Sequence, residues 1–178
     1  MTIEPDTKNW TWVLHRRCPE CGFDGRTIDR HDVAGLVRAN AASWPEVLAR
    51  PDVARRARPD RWSDLEYACH VRDVFTLFVE RLELMLAQDD AHFANWDQDA
   101  TAIEARYGDQ DPTVVARQLV TAGEALADRF TAVAGDQWSR TGVRSDGAVF
   151  TVETFARYGA HDPIHHLWDV GAAAPLPD

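Results

Sequence analysis

Two histidines four residues apart, His161 and His165, are the first feature of this 178-residue chain with chemistry in them. On a helix that turns every 3.6 residues, positions i and i+4 share a face. Both imidazoles can therefore approach one divalent ion from the same side, leaving other coordination positions open. A second candidate is the run Cys18-Pro19-Glu20-Cys21-Gly22, a knuckle-like pair of thiols. Two thiolates supply half of a tetrahedral zinc site, and His15 and His31 flank the pair, so a metal site from these four residues is one reading. A redox pair is another, although no βαβ pattern surrounds it. Two free thiols in a tight turn under Trp10 or Trp12 is the third. His166 points about 100° away from His165 around a helix, which assigns it to the helix surface or to a supporting role rather than to ligation. Asp162, Glu66 and Asp73 are candidates to orient an imidazole through its other ring nitrogen. Cys69 reads as a small buried hydrophobe. Of the seven tryptophans, Trp44, Trp62 and Trp168 are candidate cavity walls.

Helices must position these groups. The apolar positions Val33, Leu36, Val37, Trp44, Val47 and Leu48 recur at helical spacing, which predicts a first helix capped by Asp29 or Asp32 and running to about Leu48. Asn40 interrupts its face, and Pro45 suggests a kink. Ser63 followed by Glu66 is a capping box that opens a second helix running to about Leu86. His70 lies on the face of that helix shared with Tyr67, Val74, Leu77 and Phe78, so it points at the core or its edge. A polar crossover follows over residues 88–111, with a short helix around Ala100–Tyr107. Asp111-Pro112 starts a third long helix with the stripe Val115, Leu119, Ala122, Leu126, Phe130 and Val133. Gly135, Gly142 and Ser145-Asp146-Gly147 mark a turn-rich connection. Thr151 caps a last helix, residues 151–170, in which Pro163 should clash with the carbonyl of Gly159 and bend the chain beside the histidines. Four amphipathic helices with two long links predict an all-α bundle over residues 31–178, preceded by an irregular extension over residues 1–30.

Composition narrows the function classes. The net charge is −10, from 29 acidic and 19 basic residues, so no basic stripe is available to follow a phosphate backbone and nucleic-acid binding is not expected. No apolar run is long enough to span a membrane. The N-terminus lacks the pattern of a secretory signal. Three cysteines form no bridging framework, which suits a reducing cytoplasm.

The Trp62-Ser63-x-x-Glu66 helix start with His70 four residues on, followed late in the chain by Phe150-Thr151-Val152-Glu153 and by His161, His165 and His166, resembles the DinB family of four-helix bundles. The likeness covers about residues 32–170 and extends to the branch containing thiol S-transferases and mycothiol-dependent maleylpyruvate isomerases. It implies an up-up-down-down bundle, frequent homodimers, and a divalent metal, zinc or nickel, on three histidines. Carried over by position, those are His70, His161 and His165. The thiol branch implies a low-molecular-weight thiol co-substrate such as mycothiol or bacillithiol. The leading expectation is then a metal-dependent S-transferase that presents a thiolate to a small electrophile. The alternatives are a metal-dependent hydrolase using hydroxide, and a noncatalytic metal-containing binding or stress-related module.

Overall fold

The computed structural model describes residue 3, residues 9–173 and residue 176. Most of the N-terminal stretch that lacks a secretory-signal pattern, residues 1–2 and 4–8, lies outside these. Helix α1 runs Val33–Leu48, α2 Asp64–Ala87, a short α3 Gln98–Glu104, α4 Pro112–Ala132 and α5 Val152–Asp169. α4 packs against both α1 and α2, and α5 packs against the same two helices.

The start signals act as their chemistry requires. Ser63 accepts from the Glu66 amide while the Glu66 carboxylate accepts from the Ser63 amide, closing the capping box of α2. Asp111 accepts from the amides of Thr113 and Val114, with Pro112 in the first turn of α4. Thr151 caps α5 through the Thr154 amide. Asp32 occupies the cap position of α1 without a capping hydrogen bond. Pro45 and Pro163 both lie inside helices that continue past them.

The core is a single cluster in which Trp44, Leu65, Phe75, Leu82, Leu119, Leu126, Phe155 and Ile164 are among the fully buried side chains. Each such side chain contributes roughly 1.5–3 kcal/mol of burial. Asn40, which breaks the apolar face of α1, is buried and accepts a hydrogen bond from Trp44 Nε1 at 3.1 Å. Two glycines set helix spacing. A Cβ on Gly123 would stand 2.5 Å from Ala41 Cβ, and one on Gly159 would stand 2.2 Å from the Phe78 ring. Thus Gly159 admits Phe78 against α5, whatever room it also gives Pro163. The N-terminal extension joins the same core, since Val13, Cys18, Cys21, Phe23 and Ile28 are buried and the last four belong to the cluster.

The strictly all-α expectation needs correcting. Three short strands, β1 Ala91–Phe93, β2 Thr141–Arg144 and β3 Val149–Thr151, form a sheet in the order β1-β2-β3. β2 and β3 pair antiparallel around a turn in which Gly147 takes φ +89°, the conformation that favours glycine. β1 pairs parallel with β2, Ala91 opposite Gly142. Strands of three or four residues are too short to show an alternating pattern, and the parallel partner lies far along the chain.

Candidate metal centres on the last helix

α5 carries two pairs of metal-ligating side chains, each at i and i+4 and offset from one another by one residue. His161 and His165 form one pair, and Asp162 and His166 form the other. One residue is about 100° of helix, so the pairs face different neighbours. Two groups of donors result. Atoms of Cys18, Cys21, His161 and His165 lie within 4.8 Å of one another, and so do atoms of His70, Asp162 and His166.

The second group faces α2. Asp162 Oδ1 lies 3.4 Å from His70 Nε2 and 3.6 Å from His166 Nε2. Ligands at about 2.0–2.1 Å on a tetrahedral ion sit roughly 3.3–3.4 Å apart, so the spacing suits a shared cation. His70 is fully buried, and neither of its ring nitrogens has a hydrogen-bond partner; the buried Asp162 Oδ1 has none either. The Asp162 side chain as a whole keeps 37% of its exposure, so one oxygen faces the histidines while the rest reaches the cleft. Burial lowers the pKa of His70. Burial works against ionisation of Asp162, but the facing imidazoles of His166 and His70 outweigh it and hold the carboxyl below its usual range. A carboxylate facing imidazoles, with buried donor atoms in the group, is a donor set that could hold a divalent cation. His166 is held from behind, with Nδ1 2.9 Å from Asp169 Oδ2, and Asp169 is in turn paired with Arg61. This carboxylate–imidazole arrangement fixes ring orientation at metal sites. Trp96 stacks on His70 at 5.2 Å and 7°, and Trp62 covers it at 5.1 Å.

The first group faces the N-terminal segment. His165 Nδ1 lies 3.7 Å from Cys18 Sγ, and its Nε2 lies 3.2 Å from Glu20. Trp10 packs on His161 and His165 at 5.3 and 5.1 Å. Burial, reinforced by His165, pushes His161 down to about 3, and burial lowers His165 as well.

The residues singled out in the sequence are thus regrouped. His161 and His165 are together as expected, but their neighbours are Cys18 and Cys21. His70 belongs with Asp162 and with His166, which the helical angle had set aside. His15 and His31 are exposed, and His31 packs against Trp138 instead. Glu66 spends its carboxylate on the α2 cap and on Arg56, and Asp73 accepts from Tyr107 Oη at 2.5 Å. Cys69 is fully buried, its thiol directed at the carbonyl of Tyr107 and at Gln110. Trp44 is core, whereas Trp62 and Trp168 line the cleft. The offset between the pairs was legible as His161-Asp162 followed four residues later by His165-His166.

Both pairs on α5 border one cleft of about 1060 Å³, with Trp10, Trp62 and Trp96 among its walls. Asp60, Asp146 and Asp169 on its rim are each held by an arginine.

The family model of the DinB superfamily matches residues 24–170. No curated protein gives a significant match. Among solved structures the chain is similar to YfiT from Bacillus subtilis, described as a probable metal-dependent hydrolase with an unusual four-helix bundle topology. The TM-score is 0.66 at 16% identity, covering 94% of this chain and 89% of that one. Among the described residues no helix is long and apolar enough to cross a membrane.

Proposed function

The chain belongs to the DinB superfamily, and on that premise we propose that it is a metal-dependent enzyme whose divalent ion is held by His70, Asp162 and His166 and whose nucleophile is a low-molecular-weight thiol. The observation that carries this reading is the convergence of donor atoms of His70, Asp162 and His166 within 4.8 Å of one another, with His70 Nε2 and Asp162 Oδ1 buried 3.4 Å apart. A zinc or nickel ion there supplies positive charge that favours the deprotonated form of a thiol or a water and polarises a substrate oxygen.

The protein groups do the rest. Two neutral imidazoles and one carboxylate offset only part of a divalent charge, so the site retains attraction for an anion in its open positions. Trp62 and Trp96 keep water from His70, which strengthens that attraction. Asp169 holds His166 at one tautomer, its Nε2 directed at Asp162. Of the carboxylates that line the cleft, Asp60, Asp146 and Asp169 are held by arginines and so are poorly placed to act as general bases. A cleft of about 1060 Å³ stands at the top of the usual small-ligand range of about 300–1,000 Å³, which leaves room for a thiol beside its acceptor.

A hydrolase is the second reading. The same donors would serve it, and YfiT carries that description. The deciding assay incubates the metal-loaded protein with electrophilic acceptors, with and without mycothiol or bacillithiol. Conjugate that forms only with thiol and is lost in His166→Ala supports the transferase. Acceptor breakdown at equal rate without thiol replaces it with hydrolysis. Tight ligand binding with no turnover in either arm leaves the binding module.

A further inference from the structure

We infer that Cys18, Cys21, His161 and His165 form a second, separate metal site: a closed, four-ligand zinc centre that fastens the N-terminal segment to α5. Spacing, burial and distance lead there. The spacing is Cys-x2-Cys and His-x3-His, which is the ligand spacing of a Cys2His2 zinc centre, with most of the bundle intervening between the halves. All four side chains are buried, and their donor atoms lie within 4.8 Å of one another. The separation of 3.7 Å between Cys18 Sγ and His165 Nδ1 is close to the roughly 3.5 Å between a sulfur at 2.3 Å and a nitrogen at 2.0–2.1 Å on one tetrahedral ion.

The surroundings agree. His161 Nε2 is buried without a hydrogen-bond partner. Glu20, between the two cysteines, reaches the far nitrogen of His165 at 3.2 Å, the contact a ligating imidazole needs behind it. Two thiolates and two neutral imidazoles exactly balance the charge of Zn2+, so the loaded centre is neutral and can sit among Trp10, Trp12 and Phe23. This contrasts with the His70 group, which stays cationic and open. Binding releases the two thiol protons to solvent and oxidises nothing. With the ion in place, the segment carrying Trp10 and Glu20 is fixed along the cleft wall that both residues line.

The test uses the full chain, purified under reducing conditions without chelator, with cobalt(II) replacing zinc. The expected spectrum shows a thiolate-to-cobalt charge-transfer band and the intense visible absorption of a tetrahedral ion. Both features should persist in Asp162→Ala/His166→Ala, which removes the other site, and vanish in Cys18→Ser/Cys21→Ser along with one equivalent of metal. Should the cysteine variant fail to fold, X-ray absorption on the zinc-loaded wild type decides. Sulfur at about 2.3 Å together with nitrogen at about 2.0–2.1 Å supports the centre. A shell of nitrogen and oxygen alone, or thiols that alkylate fully without releasing metal, overturns it. Loss of catalysis in Asp162→Ala/His166→Ala with the thiolate band intact separates this centre from the catalytic reading.

Discussion

Asp169 governs how His166 points, and its Oδ2 also lies 3.9 Å from His165 Nε2. Its Oδ2 holds His166 Nδ1, and Arg61 holds the carboxylate. Asp169→Asn should weaken metal at the His70 group by about 10–100-fold, as removal of an orienting carboxylate does elsewhere, and keep the thiolate–cobalt band with at most a small shift, since Asp169 also neighbours His165 Nε2. Competition with a chromogenic chelator measures the first, and the spectrum measures the second. Glu66 shows a different economy. Burial works against its ionisation, but Arg56 and the Ser63 cap outweigh it and lower its pKa. A depressed folded-state value means the carboxylate stabilises the fold above its ordinary value near 4.5 and loses that contribution as pH falls through the folded value. Glu66→Gln should cost about 2 kcal/mol at pH 7 and much less at pH 3, read from urea midpoints. These roles were partly legible: Ser63-x-x-Glu66 announces its cap, but nothing local announces Arg56, and nothing announces that Asp169 stands behind His166.

At the scale of the elements, α1 and α4 meet over Gly123 and Ala41, and α2 meets α5 over Phe78 and Gly159. Gly123→Ala gains helix propensity of about 1 kcal/mol but places a methyl 2.5 Å from Ala41 Cβ, with Phe75 also close. Two backbones must separate to admit it, so a net loss of about 1–3 kcal/mol is expected in denaturant titration. Gly159→Ala displaces Phe78 and with it the stretch of α5 preceding His161, so the cobalt spectrum should broaden as well as stability fall. Helix extents were readable because capping residues and apolar stripes act within a turn or two. The hairpin and its parallel partner β1 were not, since each strand spans too few residues to show a period and the pairing depends on where α4 returns the chain. The same blindness affected the donors. Both halves of the Cys2His2 set were visible, yet helical spacing alone could not tell which face of α5 met the N-terminal segment and which met α2.

For the whole molecule, two kinds of site on one helix predict two responses to chelation. The closed set of four buried donors should release its ion slowly, whereas the open set facing the cleft should exchange quickly. Stopped-flow release into a chelator should therefore be biphasic, with the fast phase absent in Asp162→Ala/His166→Ala. Activity should fall with the fast phase, and the melting temperature with the slow one. A single phase would mean that the two groups do not load independently.

Both proposed metal sites take two of their donors from α5, which is made after the other helices. Cys18, Cys21 and His70 therefore leave the ribosome well before the side chains that complete their sites, and metal loading must wait until His165 and His166 have emerged. During that interval the two thiols are exposed to oxidants, so growth under peroxide stress should damage newly made protein more than mature, loaded protein.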